Sequence, residues 1–343
     1  MKAVPGSPAR IADVAAHAGV GIATVSRVLN GRANVADATR ERVLEAIRTL
    51  DYRPSSVARN LSLRRTLVIG VVMPFLTNPS PIERVRGIVT ALADSPYDVA
   101  LYDVESARRQ RRAFRLLADA HRTDGLLVVS LIPPDEEVER LLGGGISAVL
   151  VDARHEALPS VVVDDVAGGE LATRYLLELG HRRIAFIGDK PPDEFRFDSS
   201  RDRTVGYERA LAAAGVPVRP DYVREGTQSR HAARSIAEEL LRLPEPPSAI
   251  FAASDTQALG VLEAARGMQV DVPAELSVVG FDDVPLASYV GLTTIRQPLF
   301  ESGRRGAELL LQALAGEPPA ARVETLPLDL VVRGTTGVPQ RAR

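Results

Sequence analysis

The sequence predicts an α/β protein in which a small three-helix head is followed by a larger domain built on doubly wound sheets. Two observations carry this prediction. The run 11–30, IADVAAHAGVGIATVSRVLN, has apolar residues at helical spacing on both sides of Gly19, as two short helices joined by a glycine turn would have. From Leu67 onward, apolar runs such as LVIGVVM, DGLLVVS and RIAFIGD alternate with amphipathic segments. That alternation is typical of parallel sheets covered by helices on both faces.

The run 11–30 has the form of a helix-turn-helix. In its second helix, Val25 and Val28 form a stripe that can be buried, whereas Ile22 and Arg27 are left facing outward. A helix that packs with one face and presents its N-terminal residues to solvent can enter the major groove of DNA. An ordinary helical hairpin would have the same periodicity, so this run alone leaves both interpretations open.

A third helix is expected over 39–50, because Val43 and Ile47 share one face and can close a small core. Pro54 then stops this helix. The residues after it, SSVARNLSL, predict a hinge helix at about 55–63. A helix of this length is unstable alone in water, so a frayed linker is the alternative.

Charge is distributed unevenly along the chain. The predicted head domain, residues 1–65, contains eleven Lys and Arg against five Asp and Glu, which gives it a net charge of +6 and leaves −8 for the remaining residues. A basic head on an acidic body favours contact with DNA phosphates through the head and repels DNA from the rest.

Several other classes of function are not expected from the composition. The chain has no cysteine and its five histidines lie far apart, so neither a metal nor a cofactor is expected. The glycine-rich run 141–147 lacks the Gly-Lys-Ser/Thr that holds phosphates, and no G-x-S-x-G elbow occurs, so the chain is not expected to be an enzyme. No secretion signal or membrane-length apolar run is present, and we expect a cytoplasmic, nucleoid-associated protein.

The motif AGVGIATVSRVLNG, followed by YRPSSVARNL and a strand beginning LVIGVVMP, resembles the lactose-repressor (LacI/GalR) family of bacterial transcription regulators. The resemblance continues through VVVDDVAGGELATRYLLELGHRRIAFIGD and VPAELSVVGFDDVPLASYVGLTTIRQP, in the order of that family. It implies a regulator, expected to be a repressor, that binds a palindromic operator as a dimer under the control of a small molecule. A solute-binding protein of the same fold is the alternative, but it would need a secretion signal and would have no use for a basic head.

The resemblance also implies that residues 66–343 form an effector-binding and dimerisation domain of two lobes, like periplasmic sugar-binding proteins. One lobe is expected to take about 67–161 and 292–322, and the other about 162–291 and 323–343, with three crossing strands between them. The C-terminal residues contain no leucine heptads that could join dimers through a coiled coil, so a homodimer is expected.

The positions expected to contact DNA lie in the helix-turn-helix and the hinge. Ile22 and Ala23 cannot donate side-chain hydrogen bonds, so they are expected to read thymine methyl groups or shape, and Arg27 is the expected reader of a guanine. By resemblance, Leu61 enters the minor groove at the operator centre and small Ala58 lets the backbone approach. The full set is Arg10, Gly21, Ile22, Ala23, Thr24, Ser26, Arg27, Asn30, Asn34, Ser55, Ala58 and Leu61.

Two of these positions depart from the family pattern. Gly21 stands where a serine usually caps the recognition helix, and Arg10 stands where a threonine often caps the first helix. Replacing a capping hydroxyl by glycine costs only a few tenths of a kcal/mol. A lost phosphate contact would matter more, and Arg10 is expected to compensate for it through its charge.

The candidate effector pocket is predicted by the rule that doubly wound sheets bind ligands beyond the carboxyl ends of their strands. An Asp at such a position is more often a helix cap or a turn former. The resemblance assigns Arg203 to effector hydroxyls, which its planar fork suits, and Asp282 to an acidic contact, whereas Ser254 stands where the family commonly has Asn. The expected set is Phe75, Asn78, Ile82, Ser130, Asp152, Asp164, Arg203, Ser254 and Asp282. By resemblance the effector is expected to be a sugar or a sugar derivative.

Effector binding is expected to be linked to DNA binding. Closure of the lobes would change the spacing at which two hinge helices pack together at the operator. The sequence leaves open whether the effector acts as an inducer or as a corepressor.

Overall fold

The computed structural model describes residues 9–29, 34–52, 65–118, 122–190, 198–317 and 322–340. The chain divides into two compact units, Met1–Thr66 and Leu67–Arg343. Each unit has its own hydrophobic core. Among the described residues, no helix combines the length and the apolar composition needed to cross a membrane.

The first unit is a three-helix bundle of α1 (Ile11–Ala18), α2 (Ile22–Leu29) and α3 (Asp37–Thr49). Gly19 ends α1 in the left-handed conformation, with φ 62°, as the glycine turn in the sequence predicted. The core residues that the three helices share are Val14, Ala15, Ala18, Val25, Val28, Val43, Ala46 and Tyr52. The third helix begins two residues earlier than expected, and the hinge helix expected at 55–63 lies outside the described residues.

The second unit contains two six-stranded sheets. The first sheet has the order β11-β5-β4-β3-β1-β2, and all its neighbouring strands are parallel. Its strands are β1 (Val68–Met73), β2 (Asp98–Asp103), β3 (Gly125–Val129), β4 (Ser147–Val151), β5 (Ser160–Val162) and β11 (Val323–Thr325).

The second sheet has the order β12-β10-β9-β8-β6-β7, and only β12 runs antiparallel to its neighbour. Its strands are β6 (Ile184–Asp189), β7 (Val223–Gly226), β8 (Ala249–Ala252), β9 (Ser277–Asp282), β10 (Thr293–Arg296) and β12 (Asp329–Val331). The predicted α/β class, with parallel sheets in two lobes, is therefore confirmed.

Helices cover both faces of each sheet. They are α4 (Pro79–Leu92), α5 (Ala107–Leu117), α6 (Asp135–Gly143), α7 (Asp165–Glu178), α8 (Ser199–Ala213), α9 (Arg230–Leu241), α10 (Asp255–Gly267), α11 (Pro285–Tyr289) and α12 (Leu299–Leu314). In β1, Val71 and Met73 belong to one hydrophobic cluster and Val72 to the cluster on the opposite face. This alternation explains why the strands of the sheet are continuously apolar.

The chain crosses between the lobes three times, but the crossings differ from the expected positions. The return to the first lobe was expected at Leu292, whereas β10 still pairs with β9 in the second sheet and the crossing follows Arg296. The last crossing was expected after 322, whereas β11 pairs with β5 and the crossing lies between Thr325 and Asp329. Hydropathy does not reveal the sheet to which such short strands pair.

Glycines allow two pairs of helices to approach until their backbones touch. A Cβ on Gly169 of α7 would lie 2.3 Å from the carbonyl oxygen of Arg203 in α8, and one on Gly303 of α12 would lie 2.0 Å from the carbonyl oxygen of Arg84 in α4. No other residue has a side chain small enough for this contact. These contacts determine where the two arginines lie.

We predict that Gly206→Ala destabilises the second unit by about 1–3 kcal/mol or more, because overpacking forces the backbone to shift. A Cβ on Gly206 would lie 2.1 Å from the carbonyl oxygen of Val166 in the adjacent α7. The measurement is chemical unfolding of the full chain followed by circular dichroism. The matched control is Gly267→Ala at the end of α10, where a Cβ meets nothing within 4 Å. Equal stability of the two variants would contradict the prediction.

Candidate functional site

One face of α2 presents its side chains to solvent. Ile22 is 51% exposed and Arg27 is exposed, whereas Val25 and Val28 on the opposite face are buried against α1 and α3. The carbonyl of Gly21 accepts the first hydrogen bonds of the helix, from the backbone N–H groups of residues 24 and 25. The helix can therefore enter a groove without exposing its core face.

The other residues expected to contact DNA have varied surroundings. At the start of α1, the backbone N–H of Arg10 donates to Asp13 Oδ2 at 2.8 Å. The carboxylate of Asp13 therefore provides a hydrogen-bond acceptor for a backbone N–H group at the N-terminus of this helix. The described residues of the set that are exposed are Arg10, Gly21, Ile22, Ala23, Arg27 and Asn34, and those that are half-buried are Thr24 and Ser26. Asn30, Ser55, Ala58 and Leu61 lie outside the described residues.

A cleft of about 420 Å³ lies between the two lobes of the second unit, at the carboxyl ends of the strands. Five of the nine residues expected in the effector pocket line it: Phe75, Ser130, Asp152, Arg203 and Asp282. Four of them adopt a positive φ, at 50°, 51°, 61° and 121° for Phe75, Ser130, Asp152 and Asp282. Residues other than glycine rarely adopt this conformation, and it is enriched at binding sites.

On the side of the cleft that the first lobe forms, the carboxylate of Asp152 contacts two side chains. Ser130 Oγ donates to Asp152 Oδ2 at 2.6 Å, and Arg84 Nη2 lies 3.0 Å from the same oxygen. Arg84 comes from α4 and is only 2% exposed. Its charge is therefore balanced within the lobe by Asp152.

The wall from the second lobe is organised by Arg203. Its Nε donates to Asp165 Oδ1 at 2.8 Å, and its Nη1 donates to the carbonyl of Ala253. The guanidinium also lies 3.7 Å from the centre of the Phe281 ring. These contacts fix the side chain, so it presents its remaining edge in one orientation.

Gln297 connects the two walls. It lies in the crossing between β10 and α12, and its Oε1 accepts from Arg84 Nη2 at 3.1 Å. Its Nε2 donates to Asp282 Oδ1 at 2.6 Å. A continuous hydrogen-bonded path thus leads from Asp152 in one lobe through Arg84 and Gln297 to Asp282 in the other.

Burial raises the pKa of three carboxyl groups at this site. The pKa of Asp189, at the end of β6, rises to about 7, and the pKa values of Asp165 and Asp282 rise to about 6. Loss of hydration is the largest cause for all three, and the charge of Arg203 opposes it. The cleft therefore contains carboxyl groups that ionise close to neutral pH.

The remaining four expected residues do not line the cleft. Asn78 lies at its edge, where its Nδ2 donates to Gln228 Oε1 at 3.4 Å, and Ile82 is 43% exposed in a shallow groove beside Phe300. Asp164 caps α7 by accepting from a backbone N–H, and buried Ser254 caps α10 in the same way. These caps are the ordinary role of a polar residue after a strand.

Several lining residues were missed in the sequence. Asp189 follows the apolar run RIAFIGD, so the strand-end rule could have identified it. Arg84 and Gln297 lie within a helix and a crossing, where no local pattern marks them. The complete set of missed residues is Pro74, Ser80, Pro81, Arg84, Asp189, Lys190, Ser199, Thr227, Gln228 and Gln297. Within the described ranges, no cluster of His, Asp and Glu is arranged to hold a metal ion.

Comparisons with known protein families match both units. The model of bacterial regulatory proteins of the lacI family matches residues 10–55, and that of the periplasmic binding protein-like domain matches residues 173–336. Catabolite control protein A of Priestia megaterium is 33% identical over 95% of this chain and 98% of its own length. The transcriptional repressor CytR of Escherichia coli is 35% identical over 96% of both chains.

Solved structures agree with these matches. The lac repressor dimer bound to operator and the anti-inducer ONPF superposes with a TM-score of 0.84 at 29% identity, and the alignment covers 96% of this chain and all of that one. A complex of the transcriptional regulator CelR with cellobiose has a TM-score of 0.70 at 33% identity and covers 95% and 99% of the two chains.

We predict that Asp189→Asn flattens the pH dependence of stability. The folded-state pKa of Asp189 is about 7 against an ordinary 3.8, so between these values the folded protein binds more protons than the unfolded chain. The free energy of unfolding therefore falls as pH rises through this interval, by up to about 1.4 kcal/mol per pH unit for one group. Thermal melts across the interval measure the slope.

The matched control for this prediction is Asp94→Asn, at an exposed position after α4. It should keep the wild-type slope. The Asp189→Asn slope should be shallower but not zero, because Asp165 and Asp282 still titrate in the same direction. An unchanged slope in Asp189→Asn would contradict the assigned burial.

Proposed function

This chain belongs to the LacI family of bacterial transcription regulators, and on that premise we propose that it represses transcription by reading a palindromic operator through exposed α2 side chains. It is a regulator and not an enzyme. The observation that carries the proposal is that α2 keeps Val25 and Val28 in the core while Ile22 and Arg27 remain exposed on its opposite face. A recognition helix in the major groove needs this division.

We infer that the protein binds DNA as a homodimer, as the lac repressor dimer does. A two-fold dimer reads two half-sites, so its operator is a palindrome. The expected hinge contacts, with Leu61 in the minor groove, belong to this proposal. Because its ligand is operator DNA, we place the protein in the cytoplasm at the nucleoid.

We propose that the cleft binds a sugar or a sugar derivative as the effector. Related regulators have been solved with cellobiose and with ONPG. The cleft supports this class because Arg203, Asp282 and Gln297 place charged and amide groups on one surface, and such groups hydrogen-bond to hydroxyls. Phe75 is the one aromatic lining residue among those described.

Effector and operator binding are coupled through the arrangement of the lobes. The hydrogen-bonded path through Arg84, Gln297 and Asp282 spans both lobes, so a ligand in the cleft acts on the groups that hold the lobes together. By thermodynamic linkage, the factor by which the effector changes operator affinity equals the factor by which the operator changes effector affinity. A solute-binding protein without a regulatory role is not favoured, because residues 10–55 match the DNA-binding family.

The proposed function is tested by selecting binding sites from random duplex DNA with the full chain. The expected result is a palindromic motif with two equivalent half-sites. A motif without two-fold symmetry, or no enrichment at all, would contradict the proposal. Binding should weaken steeply with salt, because the basic head releases counterions from the phosphates.

We predict that Arg27→Ala relaxes base preference at one symmetric pair of operator positions, at a cost of about 1–3 kcal/mol per specific contact. Selection with the variant measures this directly. The matched control is Arg48→Ala, which removes another exposed arginine, from α3. The control should return the wild-type motif. If Arg27→Ala also returns it, Arg27 contacts only phosphate.

We predict that Arg203→Ala and Asp282→Ala abolish the effector response and leave operator affinity without effector close to wild type. Both side chains line the cleft, and linkage requires that loss of effector binding removes its influence on DNA. Fluorescence anisotropy with the selected operator, with and without the sugar that gives the largest thermal shift, measures both quantities.

The control is Arg209→Ala, which removes an exposed arginine from the same helix as Arg203. It should keep the full response. A full response in both Arg203→Ala and Asp282→Ala would place the effector elsewhere.

A further inference from the structure

Among the described residues in and beside the cleft, carboxylates held away from solvent outnumber buried guanidinium groups, and Lys190, which also lines the cleft, is exposed. Four carboxylates, those of Asp152, Asp165, Asp189 and Asp282, surround the guanidinium groups of Arg84 and Arg203. Because this cleft is the proposed effector site, its charge imbalance bears on the chemistry of the ligand, and any assignment of that chemistry rests on the proposed function.

Each buried guanidinium already has a carboxylate partner. Arg203 pairs with Asp165 at 2.8 Å, and Arg84 pairs with Asp152 at 3.0 Å. Within the described chain, these pairs leave the other two carboxylates without an ion pair at salt-bridge distance. The cleft thus has two carboxylates left to interact with a ligand.

The two remaining carboxylates, Asp189 and Asp282, are held by neutral amides. Gln257 Nε2 donates to Asp189 Oδ1 at 2.9 Å, and Gln297 Nε2 donates to Asp282 Oδ1 at 2.6 Å. Asp189 ends β6 and Asp282 ends β9, and both line the same cleft. An amide orients a carboxylate but does not neutralise it, so both retain their affinity for a cation.

An independent observation at the opposite wall also indicates a missing ligand atom. Arg84 is 2% exposed, lines the cleft, and its Nε–H has no hydrogen-bond partner among the described residues. A buried donor without a partner destabilises the folded protein, and a ligand oxygen that accepted this hydrogen bond would remove the penalty. The ligand therefore needs an acceptor oxygen as well as a positive charge.

We propose that the effector is an amine-bearing polyol of the amino-sugar class, with its ammonium group between Asp189 and Asp282 and a hydroxyl oxygen accepting from Arg84 Nε. A neutral sugar would leave the excess carboxylate charge uncompensated. An acidic sugar would bring a further negative charge close to Asp189 and Asp282, and Lys190, the third cation that lines the cleft in the described chain, is exposed to solvent.

The electrostatics of Asp189 support this assignment. Its carboxyl faces Arg203 from α8, Asp282 from β9 and Glu225 from β7, as well as the amide of Gln257 from α10. Burial and the two acidic neighbours raise its pKa to about 7, and a bound ammonium group would lower it again. Affinity for the ammonium form should therefore increase as pH rises toward this value, and it should fall again at higher pH, where the amine itself loses its proton.

The test uses matched pairs of probes that differ in one group: glucosamine with glucose, galactosamine with galactose, and mannosamine with mannose. Isothermal titration of the full chain at neutral pH measures each affinity. We expect the amine to bind at least about tenfold more tightly than its hydroxyl counterpart in one or more pairs. N-acetylation of that amine should abolish the preference, because it removes the charge.

The variants Asp189→Asn and Asp282→Asn should each reduce the amine preference to about threefold or less. Asp94→Asn, at an exposed position, should keep it. If one variant fails to fold, the other still carries the test, because the carboxylates come from different strands. The pH profile of amine affinity should also become flatter in Asp189→Asn.

Two results would overturn the inference: no pair with a preference for the amine, or tighter binding of glucuronate than of glucosamine. These results are distinguishable from failure of the proposed function. If the chain selects a palindromic operator and a neutral sugar changes its affinity, the regulatory function stands and only the amine assignment is wrong. If no operator is selected, the regulatory function itself is wrong.

Discussion

Close backbone contact at glycines is the constraint on which the effector cleft depends. Gly169 lies against the backbone of Arg203, and Gly303 lies against the backbone of Arg84, at distances that no Cβ could tolerate. Because each contact fixes the helix that carries an arginine, it also fixes where the guanidinium reaches between the lobes. The two lobes use the same solution, a helix pair joined at small residues with an arginine directed into the cleft. The positions of Asp152 and Asp165 as ion partners follow from those of the arginines.

The head and the cleft carry their charged groups in different environments, and each environment suits a different kind of ligand. The head is basic, and its described residues Arg10, Arg27 and Arg48 are exposed, so it meets a polyanion in water, where long-range attraction depends on salt. The carboxyl groups of Asp189 and Asp282 lie in the cleft, where loss of hydration outweighs the attraction of the nearby guanidinium groups and raises their pKa values. Gln297 joins the walls of the cleft through one amide, so the groups that a ligand would contact are also groups that hold the lobes together.

Sequence reasoning found part of the candidate site because strand ends are visible in hydropathy. Ser130, Asp152 and Asp282 follow apolar runs, and the structure brings them to one cleft. The same rule also selected Asp164 and Ser254, which the structure uses as helix caps, because a polar side chain after a strand can turn toward its own helix as easily as toward a ligand. Arg84 and Gln297 left no such signal, since nothing in a helical or crossing segment indicates which turn faces another lobe.

The sequence by itself determined the class of the fold, the existence of the helix-turn-helix and the family, because these depend on local periodicity, on Gly19 and on long motifs in fixed order. It also selected Arg203 and Asp282 for the pocket, but it expected both at strand ends, whereas Arg203 lies in α8. Only the tertiary structure decided which sheet takes β10 and β11, which carboxylates share a guanidinium, and which remain unpaired. Strand pairing and ion pairing join residues far apart in the chain, and their energies depend on distance and burial that no local pattern contains.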